Sequence, residues 1–354
     1  MMRCIRRSVC HDGHVVKFTE ENVEIPKAGD NEIVVKVKAC GLSYVKNKVL
    51  SEMFKKVKLD SCIAGEDVSG VVTQVGVCVT SFQEGDAVVG ILPLDSCFSG
   101  CGEYCVFAEY DLVKKPEHVE FVDAAATIGD CVRAYTALHY QAQVCAGDTL
   151  LVLDGATSFG SIAVQLAQQW GAKVMSTYSS PAERQHLECM QPPVAQVIEL
   201  SKKNNILVSS VMEETGGVGI DCVVDNGVRM FTNEEDIALQ EESSPYPQPH
   251  KNDVISCLGF GGKWITSQPD LQLDPPDTQQ LFLRGASVNF LFHQAWVLTS
   301  AQQGRYQHIL QDSMDKLDKG LIRCKIAKTV TFDEVLETMQ SLEDVRLGKV
   351  VLKM

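Results

Sequence analysis

Residues 151–180 read LVLDGATSFGSIAVQLAQQWGAKVMSTYSS. A short apolar run ends at Gly155, apolar residues then recur with helical spacing, and KVMSTY opens a second apolar run at residue 173. Strand, turn, helix and strand in that order form a βαβ unit, so the two strands are parallel and the crossover is right-handed. The turn between the first strand and the helix is Gly155-Ala156-Thr157-Ser158-Phe159-Gly160. It matches the G-x-G-x-x-G of a dinucleotide-binding turn except at the middle glycine, where Thr157 stands.

In such a turn the first glycine permits the sharp bend, the second lets backbone approach a pyrophosphate, and the third lets helix pack on strand. Gly155 and Gly160 keep the outer roles. Thr157 either crowds the phosphates or, together with Ser158, offers them a hydroxyl. The amides at the start of the helix, which includes Phe159, remain in either case and favour negative charge. The turn is therefore good evidence for the fold and weaker evidence for a ligand.

An Asp or Glu about 20 residues after the motif would bond the ribose hydroxyls of NAD. Here the second strand ends in Thr177, Tyr178 and Ser179, with Arg184 just beyond. A missing carboxylate beside an arginine favours a 2′-phosphate, hence NADPH; Arg184 as a solvated helix residue is the alternative.

Further along, "IDCVVDNG", "KWITS" and "SVNFLF" continue the alternation of apolar runs with helical stretches, as in a doubly wound parallel sheet buried on both faces. Residues 15–125 differ. "NEIVVKVKACGLS" alternates apolar and polar positions from Ile33 to Val37, and "DVSGVVTQVGVCV" and "GDAVVGILPL" are valine runs cut by glycines, which suggests a compact β-rich domain. Residues 229–253 carry six acidic residues with Pro245, Pro247 and Pro249, and read as a solvent-exposed insertion, either a tolerated loop or a partner-binding segment. An amphipathic stretch follows Ala295, and the chain closes with "GKVVLKM".

The chain has 354 residues, 45% hydrophobic and 22% charged, which suits two soluble domains. Its net charge of −14 argues against nucleic acid or an anionic membrane as partner. No apolar run approaches the ~18 residues of a membrane span, and the opening MMRCIRRSVCHDGH has no apolar segment of a secretory signal. Fourteen scattered cysteines fit reduced thiols in the cytosol.

Several stretches resemble, in order, the medium-chain dehydrogenase/reductase superfamily in its zinc-independent, zeta-crystallin-like quinone oxidoreductase branch: AGEDVSGVVTQVG (64–76), FQEGDAVVG, GEYCVFAEYDLVKKPE, AYTAL (134–138), GVGIDCVVDNG, GFGGKWIT and GKVVL (348–352). The resemblance spans essentially the whole chain. It implies an α/β fold in which a Rossmann doubly wound parallel sheet (129–298) is joined to a GroES-like β-rich domain built by both chain ends (1–128 and 299–354). It also implies a quinone or enone-like carbonyl as small-molecule substrate, and a homodimer by the habit of the branch.

Zinc-using relatives carry a cysteine where Ser43 stands and a histidine where Gly65 stands, and Cys97, Cys101 and Cys105 do not have the spacing of their structural zinc lobe. No metal is expected. Ser43 and Tyr44 are the candidates to orient the reacting rings, with packing as the alternative for each. Further coenzyme contacts by resemblance are Asn226, Gly227, Thr266, Ser267, Phe290 and Leu291. Arg133 stands where relatives commonly have threonine; it either pairs with a phosphate or carboxylate or faces solvent. None of the eight histidines falls in a recognisable triad or ligand pair. Two readings stay open: an NADPH-dependent reductase, and a degenerate relative that acts as a binding or scaffold protein.

Overall fold

The computed structural model describes residues 1–9, 16–43, 62–201, 206–230 and 246–354. The chain divides into two compact units, Met1–Val132 with His293–Met354, and Arg133–Phe292.

The first unit is β-rich. Its leading part supplies β1 (Met2–Val9), β2 (Val16–Val23), β3 (Glu32–Leu42), β4 (Cys62–Ile63), β5 (Asp67–Val75), β6 (Ala87–Ile91), β7 (Tyr104–Ala108) and β8 (Leu112–Lys114), followed by helix α1 (Phe121–Tyr135). Strands β2, β1 and β4 form a small antiparallel sheet. The expected alternation in β3 is not what forms: Ile33, Val34 and Val35 are all buried. Strand β3 is central, with β5 on one edge and β7 on the other, and its Ile33, Val35 and Val37 enter one core cluster.

The second unit carries β9 (Thr149–Val152), β10 (Lys173–Tyr178), β11 (Gln196–Glu199), β12 (Ile220–Val224), β13 (Leu258–Thr266) and β14 (Ser287–Phe290). All pairings are parallel, in the order β11-β10-β9-β12-β13-β14. The chain works outward from β9 to one edge, then returns to β12 and works to the other. The order thus reverses between β9 and β12, and ligands of such sheets bind beyond the strand ends at that point. The connecting helices are α2 (Ser158–Gln169), α3 (Pro181–Glu188), α4 (Leu207–Glu214), α5 (Lys251–Cys257) and α6 (Pro275–Arg284). Leu150, Leu151 and Val152 are sealed from solvent, as continuous apolar strands between helix layers must be.

Of the expected insertion, residues 231–245 lie outside the described residues. Its far end is not exposed. Pro249, His250 and Lys251 are buried, His250 caps α5, and Lys251 Nζ lies 2.8 Å from Asp277 and 3.0 Å from Asp274. A charge of that kind is buried because it is paired on two sides.

The chain then returns to the first unit through α7 (Gln303–Asp318), β15 (Ile326–Val330) and β16 (Lys349–Lys353). Tyr306, Ile309, Leu310, Ser313 and Met314 form the buried stripe of α7 at helical spacing. The second sheet of this unit is ordered β15-β16-β3-β5-β6-β8, with β7 also on β3, so both chain ends build it. Among the described residues no helix is long and apolar enough to cross a membrane.

Candidate functional site

Strand β9 must turn at once into α2, and the turn divides its work differently from the glycine pattern. The sharp bend falls on Asp154, whose φ is +58°. Aspartate is one of the few side chains that tolerate that region. Gly155 instead serves close packing: a Cβ there would lie 2.0 Å from Ser176 Oγ on β10. Gly160 has the role expected of it, since its Cβ would meet Asp154 O at 2.4 Å and Gly155 Cα at 2.7 Å.

Thr157 is the N-cap of α2. Its hydroxyl accepts from the Gly160 amide (3.1 Å) and donates to Asp154 O (2.8 Å). A hydroxyl has one hydrogen, so the expected donation from Thr157 to a phosphate is not available in this arrangement. What the turn does present is the first turn of α2, where the amides of Ser158 and Phe159 precede any intrahelical acceptor. Ser158 is half-buried and Phe159 is buried.

The ends of β12 and β13 are organised by a residue that motif reading passed over. Asp225 is fully buried and accepts from Gly227 N (2.7 Å), Thr266 Oγ1 (3.0 Å), Ser267 N (3.4 Å) and the indole of Trp264. Burial pushes its carboxyl above the usual range, and the four donors offset that in part. Gly227, at φ 131°, is free to bend back toward this carboxylate. Thr266 O in turn accepts from Leu291 N (2.7 Å), and Phe290 pairs with Thr266 in the β13–β14 register.

Arg133 joins these loops. Its Nη2 donates to Asn226 Oδ1 and to Ser267 Oγ, both at 2.7 Å, and its guanidinium carbon lies 3.9 Å from the Phe159 ring centre. Arg133 thus contacts three other residues singled out in the sequence, Asn226, Ser267 and Phe159, and does not simply face solvent.

At the end of β10 the expected partners are engaged otherwise. Ser179 donates from its amide (2.7 Å) and hydroxyl (3.0 Å) to Glu183, a buried carboxylate that the strand-end reading missed. Arg184 pairs with Glu188 at 2.7 Å, one turn along the same helix, and lies over the Tyr178 ring. Beside them Ser161 Oγ lies 3.2 Å from His186 Nε2, but Ser161 is buried, so the contact fastens α2 to α3.

Ser43, in the first unit, accepts from Lys349 Nζ at 2.7 Å. The same ammonium lies 3.1 Å from Asp67 and 3.2 Å from Asp130, all three deeply buried. Burial opposes the lysine's charge, but Asp130 and Asp67 outweigh it and hold its pKa up. Burial also raises Asp67, against the pull of Lys349. Next to them Glu66, half-buried as a residue but with its carboxyl shielded, is pushed up to about 8 by desolvation and by Asp67; Gln294 donates to it. Tyr44 lies outside the described residues.

The position of the zinc-ligand histidine, Gly65, has φ +87°, and a Cβ there would lie 2.6 Å from Cys40 Sγ. As folded, that position does not admit a histidine. Cys97 is exposed while Cys101 and Cys105 are buried. Among the described residues no group of three or more His, Cys, Asp or Glu has metal-holding geometry.

Residues 29–144 match the alcohol dehydrogenase GroES-like domain. The chain is 44% identical over 324 residues to a mouse protein named quinone oxidoreductase-like protein 1, covering 92% of this chain and 91% of that one. It is 27% identical over 280 residues to human quinone oxidoreductase, covering 78% and 77%. The fold matches an alcohol dehydrogenase superfamily protein from Novosphingobium aromaticivorans (TM-score 0.80, 19% identity, complete coverage of both). A mycobacterial protein solved with NADPH matches equally well (TM-score 0.80, 20% identity, complete coverage of both). The parallel sheet, the GroES-like sheet and 44% identity over nearly the whole length agree: the chain belongs to the quinone oxidoreductase-like family of the medium-chain dehydrogenase/reductases.

Proposed function

We propose that the protein is an NADPH-dependent, zinc-independent oxidoreductase acting on quinones or enone-like carbonyl compounds. The observation that carries the reading is the start of α2, where Gly155 and Gly160 allow close packing and the Ser158 and Phe159 amides belong to the first turn of the helix that follows β9, beside the sheet's switch point. These residues fit a dinucleotide: the amides would hold the pyrophosphate, and Thr157 supports them as a cap rather than as a direct contact.

Arg184 would take the 2′-phosphate, with Ser179 beside it. Its present bond to Glu188 joins two largely exposed side chains. Exposed pairs of this kind are screened by water and contribute little, so a phosphate carrying close to two charges would compete well for the guanidinium. Asn226, Gly227, Thr266, Ser267, Phe290 and Leu291 would line the other half of the coenzyme, with the loops at β12 and β13 fixed by Asp225. A bound nicotinamide coenzyme supplies the hydride. Ser43, oriented by Lys349, and Tyr44 are assigned to position the carbonyl substrate. The homodimer and the cytosolic setting belong to the same proposal, by family resemblance and by free cysteines such as Cys78 and Cys145.

Calorimetric titration of NADPH and NADH, followed by NADPH oxidation against a panel of quinones and enones, tests it. Micromolar NADPH binding, weaker NADH binding and turnover of at least one acceptor are expected. No binding of either coenzyme would favour the second reading, a relative that kept the fold as a binding or scaffold protein. That reading draws support from the engagement of Arg133 with residues that a coenzyme would need.

A further inference from the structure

A dinucleotide on a doubly wound sheet lies across the strand ends where the order reverses, its ribose at one side and its pyrophosphate on the helix after the first strand. In this chain the ribose side is the end of β10, with Ser179 and Arg184. The remaining half then lies over the ends of β12 and β13. That is where Arg133 is anchored, bonded to Asn226 beyond β12 and Ser267 beyond β13, and laid on the ring of Phe159 at the start of α2.

We propose that Arg133 is an internal ligand of this crevice: its guanidinium holds the half of the site over β12 and β13, and a dinucleotide binds by displacing it. The inference rests on reading the crevice as a coenzyme site. Three features carry it. The guanidinium is planar and stacks on an aromatic face, as a flat heterocycle would. Both hydrogens of Nη2 are given to groups that a ligand's polar atoms would otherwise meet. The loops bearing those groups are fixed from behind by Asp225, which binds the amides of Gly227 and Ser267, so the acceptors are built in place rather than met by a roaming side chain. A lysine has neither the plane nor the fork to do this.

The consequence is a self-competition that lowers coenzyme affinity. NADPH and NADH titrations of the natural protein, Arg133→Met and Arg133→Lys test it. Methionine keeps apolar volume over Phe159 and removes both bonds; lysine keeps the charge without the plane or the fork. Arg133→Met is expected to bind both coenzymes at least about tenfold more tightly, and Arg133→Lys about threefold, with the NADPH-to-NADH ratio unchanged. Equal or weaker binding by Arg133→Met, where the natural protein binds, overturns the internal ligand and leaves the coenzyme reading standing. Absence of binding in all three proteins overturns both.

Discussion

The indole N–H of Trp264 donates to the carboxylate of Asp225, and both residues are completely buried. One carboxylate therefore ties the end of strand β13 to the loop that follows β12. Asp225→Ala would strand the indole, the Thr266 hydroxyl and the Gly227 amide, each at about 1–3 kcal/mol if left buried and unbonded. A loss of roughly 3 kcal/mol or more is expected in urea unfolding, with coenzyme affinity falling although Asp225 is assigned no ligand contact. Unchanged unfolding would refute its organising role.

Thr157→Ala should cost about 1 kcal/mol, the ordinary penalty for removing an N-cap hydroxyl. Thr157→Ser should keep most of the stability. Thr157→Gly is expected to leave NADPH affinity within about threefold, because the natural side chain faces inward to Asp154 and Gly160. A large gain in binding for the glycine variant would show instead that Thr157 obstructs the phosphates.

Glu66 gives stability a pH dependence of definite sign. Its carboxyl rises from an ordinary value of 4.5 to about 8 in the folded chain, through desolvation first and Asp67 second. Between those values the native state binds the extra proton, so stability falls as pH rises through the window and levels off above it. The proton has a ready receiver, since Gln294 Oε1 is buried without a bond and an amide flip would aim it at the acid. Glu66→Gln should flatten the slope between pH 5 and 8 and be the more stable protein at pH 9, read from denaturation midpoints.

Lys349→Met removes the cation shared by Asp67 and Asp130 and leaves two carboxylates buried together. Breaking a buried pair in this way costs about 3–5 kcal/mol. Thermal melts should show it. Adding Asp67→Asn and Asp130→Asn should recover much of the loss, whereas equal melts for Lys349→Met and the natural protein would mean the ammonium is not needed.

Arg184→Ala should weaken NADPH binding about tenfold and leave NADH binding nearly unchanged. Equal losses for the two coenzymes would place the side chain away from the 2′-phosphate.

The parallel sheet was legible because strand segments buried on both faces must be apolar, as in LLV (150–152) and CVV (222–224). The return of the chain end to the first sheet followed from family resemblance, since nothing in GKVVL itself names Gly41 and Leu42 as its neighbours. The site was harder to read. Its outer glycines were visible, but Gly155 does its work through Ser176 and leaves the bend to Asp154. Asp225 and Glu183 escaped because their roles lie in hydrogen bonds to backbone and hydroxyls, which leave no spacing signature. The bond between Lys349 and Ser43 spans 306 positions, and its lysine sits in a strand whose pattern reads as ordinary core.

The clash at Gly155 also constrains how this family can drift. An added methyl would meet the Ser176 hydroxyl at 2.0 Å, and that hydroxyl in turn binds Val152 O at 3.0 Å. Alanine at 155 therefore requires the Ser176 hydroxyl to turn away from Val152 O or to be lost. Positions 155 and 176 are thus sterically coupled: a larger residue at the first glycine fits best beside alanine or glycine on the neighbouring strand.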